Sequence, residues 1–103
     1  MKTSVKSLEN SRQQLFIGGS FVAPKAGQYI PSYDPTTARP WYELAEADAS
    51  DVDAAVASAR SAFANPAWRR MTQTDRGKLV YRLAQLVLEH ADELALIETR
   101  DNG

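Results

Sequence analysis

The sequence predicts an α+β fold: a β-hairpin and short strands, followed by two or three amphipathic helices. Three observations carry that prediction. Gly18-Gly19 sits between two short β-prone runs. Two further β-prone stretches, at Tyr29–Ile30 and Trp41–Ala45, lie among prolines. From Val52 to Ile97 the apolar residues recur at helical rather than strand spacing.

Each element follows from local chemistry. Residues 1–14 are polar with isolated Val5 and Leu8, and read as a flexible tail with at most a helical turn. Leu15–Ile17 and Ser20–Val22 flank two glycines that tolerate positive φ, the requirement of a type I′ hairpin turn. Ala23–Gly27 is a loop. Tyr29 and Ile30 suit a strand that Pro31 and Pro35 confine to an edge. Trp41–Ala45 alternates in part and reads as a further strand. Val52, Ala55, Val56, Ala59, Ala62 and Phe63 then form one helical face, with Asp48 or Ser50 as cap and Asn65-Pro66 as its end. Thr72 caps the next helix, with Asp75 three residues on. Its stripe of Leu79, Leu83, Leu86, Val87, Leu94 and Ile97 shifts near His90, which predicts a kink or a break there.

Composition excludes several functions. With 12 basic and 13 acidic side chains the net charge is −1, which argues against electrostatic binding to nucleic acid or a membrane surface. No cysteine is present, so thiolate nucleophiles, disulfides and Cys-zinc sites are excluded. One histidine cannot build a His-based metal cage. No apolar run spans a membrane and the N-terminus lacks a signal-peptide core, so a cytoplasmic setting is expected. Apolar residues make up 44% of the chain, but sixteen of them are alanine, so large apolar side chains are sparse and need partners.

The candidate constellations have plain explanations. The acids between Glu43 and Asp53 lack the glycine and glutamate an EF-hand requires, and surround a helix start instead. Trp68-Arg69-Arg70 with Arg76, Lys78 and Arg82 reads as an aromatic anchor rimmed by arginines that pair with the upstream acids. His90 reads as a surface residue at the helix break. The five glycines form no phosphate-binding pattern. Residue chemistry alone ends at a soluble α+β piece with no visible active site.

The order of segments goes further. "LFIGGSFV", "YIPSYDPTT", "ELAEADASDVDAAVASARSAF", "WRRM" and "TDRGKLVYRLAQLVLEHADELALIETRDNG" together resemble the N-terminal part of an NAD(P)-dependent aldehyde dehydrogenase, from Leu15 to Gly103. Asp34-Pro35 stands where that family more often has Asn-Pro, "TTARPW" replaces its usual Gly-Glu, and Arg100 stands where leucine is common. The resemblance implies an α/β parent fold, with residues 15–103 as the truncated N-terminal portion of its cofactor-binding domain. In the parent it implies NAD or NADP, an aldehyde substrate oxidised to a carboxylic acid, and a homodimer or homotetramer. The family's cysteine nucleophile, water-activating glutamate and cofactor turn would lie outside these residues, so the segment is expected to be scaffold and inactive alone. The resemblance further implies Na⁺ or K⁺ held by the backbone carbonyls of Ser32 and Tyr33 and the carboxylate of Asp101. A competing expectation is a self-standing helical module whose apolar stripes bind a partner.

Overall fold

The computed structural model describes residues 5–103. Its elements are α1 (Val5–Leu8), β1 (Arg12–Gln13), β2 (Leu15–Ile17), β3 (Ser20–Val22), β4 (Tyr29–Asp34), β5 (Arg39–Ala45), α2 (Ala49–Ala64), α3 (Pro66–Arg69), α4 (Gln73–Glu89) and α5 (Ala91–Asn102). The α+β class is as the sequence predicts.

β2 and β3 pair antiparallel as a separate two-stranded hairpin, Phe16 opposite Phe21. Gly18 and Gly19 turn it at φ 62° and 80°, values that carry a Cβ penalty for other residues. The turn lies against α2, where a Cβ on Gly18 would come within 3.3 Å of Ser58 Oγ.

The second sheet has the order β1-β5-β4, with β4 antiparallel and β1 parallel to the central β5. Pro31 is tolerated because β4 is an edge strand. The β4–β5 register shifts between Ser32 and Tyr33: Ser32 faces Tyr42, but Tyr33 faces Pro40. Trp41 is therefore an extra residue on β5, a β-bulge, and its carbonyl accepts from the Asn10 amide instead (2.8 Å).

The expected tail over residues 1–14 is corrected from Val5 onward; residues 1–4 lie outside the described residues. Leu8 of α1 is buried, and Arg12–Gln13 adds a strand to β5. Two isolated apolar residues in a polar run give no periodic signal, so the burial of Leu8 was not legible.

The helices follow their caps. Asp48 caps α2 in a reciprocal box: its carboxylate accepts from the Asp51 amide (3.0 Å) while Asp51 accepts from the Asp48 amide (3.0 Å). Buried Asp51 also accepts from the Lys25 amide (3.1 Å), which fixes the preceding loop to this helix start. The acids near Glu43–Asp53 thus include a working cap, as expected. Asn65-Pro66 ends α2 and also starts α3, since Asn65 Oδ1 accepts from the Ala67 amide (2.9 Å) with Pro66 at the first helical position. Thr72 accepts from the Asp75 amide (3.1 Å) to begin α4, which breaks at His90 as its shifting stripe predicts.

Among the described residues the buried apolar side chains are Leu8 and Trp41, with Pro24 buried in the loop before β4. The stripes of α2 and α4 stay open: Phe63 is 71% and Leu83 61% exposed. The chain's radius of gyration is 16.8 Å, against about 13 Å for a compact domain of this size.

The Asp101 cluster as candidate functional site

The densest polar arrangement lies where α5 meets the three-stranded sheet. Asp101, near the helix C-terminus, receives three hydrogen bonds. Ser32 Oγ and Trp41 Nε1 donate to Oδ1 at 2.7 and 3.1 Å, and Tyr42 Oη donates to Oδ2 at 3.0 Å. The bulge makes this convergence possible. Successive strand residues ordinarily point to opposite faces, yet Trp41 and Tyr42 both reach one carboxylate. The extra residue brings them to the same side, together with Ser32, the register partner of Tyr42.

Burial first, then the bond to Asp101, push the Tyr42 phenol above its usual range, so it stays protonated and donates. The Trp41 and Tyr42 rings meet edge to face with centroids 4.6 Å apart.

A second charge arrangement sits beside it. The Arg100 guanidinium lies 4.4 Å above the Trp41 ring. Its Nε donates to Asp34 Oδ2 at 3.3 Å, and an Nη donates to Glu9 Oε1. Asp34 is itself buried at the end of β4, where its Oδ1 accepts from the Thr36 amide (2.9 Å). The Thr36 amide first, then Arg100, hold the Asp34 carboxyl below the usual range against the opposing effect of burial.

Of the three residues expected to hold a cation, the fold brings Ser32 and Asp101 into direct contact through their side chains. The Tyr33 side chain is exposed and makes no bond to Asp101; Tyr33 follows Ser32 across the register shift. Sequence reasoning missed Trp41, Tyr42, Arg100 and Glu9. Arg100 stood out as a departure from leucine, but its partners lie 66 and 91 residues away in the chain. His90 lies at the break between α4 and α5, with Nδ1 3.2 Å from Glu93 Oε2. The basic patch differs from expectation. Arg76 stacks on Trp68 at 4.8 Å, as an anchored aromatic would have it. The ion pairs that Lys78 and Arg82 form run along α4, to Asp75 and Glu89, rather than back to the upstream acids.

Chemically the cluster clamps a helix to a sheet. The three donors, from β4 and β5, converge on one carboxylate of α5 and fix it in place. Among the described residues no group of three or more His, Cys, Asp or Glu side chains could hold a metal ion. Nor is any helix among them long and apolar enough to cross a membrane.

The family model described as "Aldehyde dehydrogenase family" matches residues 21–103. The chain belongs to the aldehyde dehydrogenase family. It is 41% identical over 97 residues to aldehyde dehydrogenase family 2 member B4, mitochondrial, of Arabidopsis thaliana, a match covering 94% of this chain and 18% of that protein. It is 44% identical over 90 residues to the cytosolic 10-formyltetrahydrofolate dehydrogenase of Xenopus laevis, covering 87% of this chain and 10% of that one. Among solved structures it is similar to the NAD+ complex of an aldehyde dehydrogenase from Bacillus cereus, with a TM-score of 0.92 and 41% identity over 100% of this chain and 21% of that one. This aldehyde dehydrogenase chain therefore spans between about a tenth and about a fifth of these relatives' length. The family-level resemblance read from the segment order is thereby borne out.

Proposed function

We propose that these residues are the N-terminal scaffold of an enzyme that oxidises an aldehyde to a carboxylic acid with NAD⁺ or NADP⁺. The observation that carries the reading is the whole-chain superposition on an NAD⁺-bound aldehyde dehydrogenase at 41% identity. The segment supplies architecture and no reacting group. With no cysteine it cannot form a thiohemiacetal, and the nicotinamide would be held by residues outside this chain. The exposed faces of α2 and α4 are then docking surfaces for the remainder of the cofactor-binding domain, of which residues 15–103 form the first part. The same reading takes the parent as a cytoplasmic homodimer or homotetramer.

The reading extends to a monovalent cation at the Ser32 and Tyr33 carbonyls and Asp101. A carboxylate offers about four lone-pair sites. Three are filled here by Ser32, Trp41 and Tyr42, which leaves one oxygen position for Na⁺ or K⁺ beside a helix C-terminus that favours positive charge. Replacing choline by sodium or potassium should raise the melting temperature, and Asp101→Asn should abolish the difference. Equal melting in all three salts would remove the cation from the proposal.

The function is tested by grafting. Residues 1–103 replace the matching N-terminal segment of the Bacillus cereus enzyme, and NADH formation is followed with short aliphatic and aromatic aldehydes. A soluble, active chimera is the expected result. A chimera that folds yet turns over no aldehyde, when the parent does, would overturn the assignment. The 103 residues alone should show no turnover.

A further inference from the structure

We propose that Glu9, Arg100 and Asp34 form an ionic strap that closes residues 5–13 over Trp41, and that this segment opens as one unit when the strap's charges are screened or removed. The proposal does not depend on the catalytic reading. It begins from how short the segment's own elements are; beyond them, buried Leu8 and the Arg12 guanidinium 4.5 Å over the Tyr29 ring tie it to the body. A helix of four residues and a strand of two are far below the length at which either is stable on its own. The backbone bonds that cross from the segment to β5 include Asn10 N–H to the Trp41 carbonyl (2.8 Å) and Glu43 N–H to the Ser11 carbonyl (3.0 Å). The Arg12–Glu43 pair is solvent-exposed on both sides, the kind of pair that adds little.

Arg100 is placed differently. Its guanidinium bridges Glu9, at the end of α1, to Asp34, at the end of β4, and its flat face covers the ring of Trp41. Asp34 is buried, so that arm of the bridge is anchored in the body of the fold. Glu9 is half exposed, so the other arm is the one solvent can reach. One side chain thus ties the N-terminal segment, α5 and the β4 end together. With the strap closed, Trp41 is 5% exposed. With it open, the Trp41 carbonyl and the outer edge of β5 lose their cover and become available for pairing with another strand.

The experiment is amide hydrogen exchange on the full chain at low salt and at about 1 M NaCl, where the Debye length falls to about 3 Å. The readouts are the Asn10 and Glu43 amides, which cross the opening seam, with the Leu94 amide on His90 O as a reference in α5. In the unsubstituted chain, high salt should accelerate Asn10 and Glu43 by about threefold to tenfold and leave Leu94 unchanged. Glu9→Gln is a surface change that cannot unfold the body. It should give the same acceleration at low salt and no further response to salt. Arg100→Leu should accelerate both amides at least as much, and Arg100→Lys, which keeps the charge but loses the fork, should fall between. Salt-independent exchange in the unsubstituted chain would overturn the proposal. So would an undiminished salt response in Glu9→Gln, which would assign the effect to Arg12–Glu43. Equal acceleration of Leu94 would also overturn it, because that reports general unfolding rather than a strap.

Discussion

The two halves of this chain solve the folding problem in opposite ways. Around Trp41 the sheet, α1 and α5 enclose a small core whose polar groups are matched: Asp101 takes three donors, and Asp34 takes a backbone amide and an arginine. On the α2–α4 side, secondary structure is equally regular but the apolar faces have no cover. The difference teaches that capping and closure are separate problems. Asp48, Asn65 and Thr72 start and stop helices with partners within three residues, whereas the Asp101 clamp joins residues 59 to 69 positions apart. Local chemistry finishes the first task anywhere; the second needs a surface, and only one half has its own.

Substitutions at the clamp should break the contrast most. Asp101→Ala leaves the Ser32, Trp41 and Tyr42 donors without their acceptor and should destabilise the sheet half by about 3 kcal/mol. Urea unfolding followed by Trp41 fluorescence in a Trp68→Phe background measures it. A loss below about 1 kcal/mol would mean that water replaces the carboxylate readily.

Next in size is the hairpin. Replacing Gly18 and Gly19 together by valine forces two β-branched residues to positive φ, at about 1–2 kcal/mol each. The Gly18 substitution also presses on Ser58. The damage should stay local, visible as lost Phe16–Phe21 contacts in NMR while the Trp41 signal is unchanged. Thr72→Ala should cost about 1 kcal/mol of α4 helicity, read by circular dichroism, since the cap works without tertiary support.

Acid should distinguish the halves as well. Asp34 has its folded-state pKa depressed, so its contribution is present above the ordinary carboxylate range and disappears as pH falls through the lower folded value. Arg100 faces it from α5 and in turn holds Glu9 of the N-terminal segment. Trp41 emission should therefore shift before helical circular dichroism does. In Asp34→Asn the acid shift should shrink; an unchanged profile would put its origin elsewhere.

The smallest effect is the sharpest test of the comparison. Leu83→Gln lies on an open face and should change the stability of this chain by less than about 0.5 kcal/mol. In the grafted enzyme, with that face covered, the same substitution should cost about 2 kcal/mol or more. Similar costs in both settings would show that α4 is already packed here.

What the sequence disclosed divides along the same line. The Gly-Gly turn, the Asp48 and Thr72 caps and the break at His90 were legible because each depends on neighbours within a few residues. α3 was missed although Asn65-Pro66 carried its signal, since the dipeptide reads equally as an end and a beginning. Ser32 and Asp101 were connected through the family resemblance rather than through spacing. Their contact depends on a bulge, and nothing in the letters Pro40-Trp41-Tyr42 marks one residue as surplus.

That surplus residue makes β5 a strand of two parities. Before Trp41 the odd and even positions belong to one assignment of faces, and after it the assignment is reversed. Deleting Trp41 would therefore do more than remove an indole. It would put the two ends of the strand back in phase, and so either turn Tyr42 away from Asp101 or force the whole Arg39–Pro40 end to invert. The length of this strand, counted in single residues, is as much a specified quantity as the identity of any side chain on it.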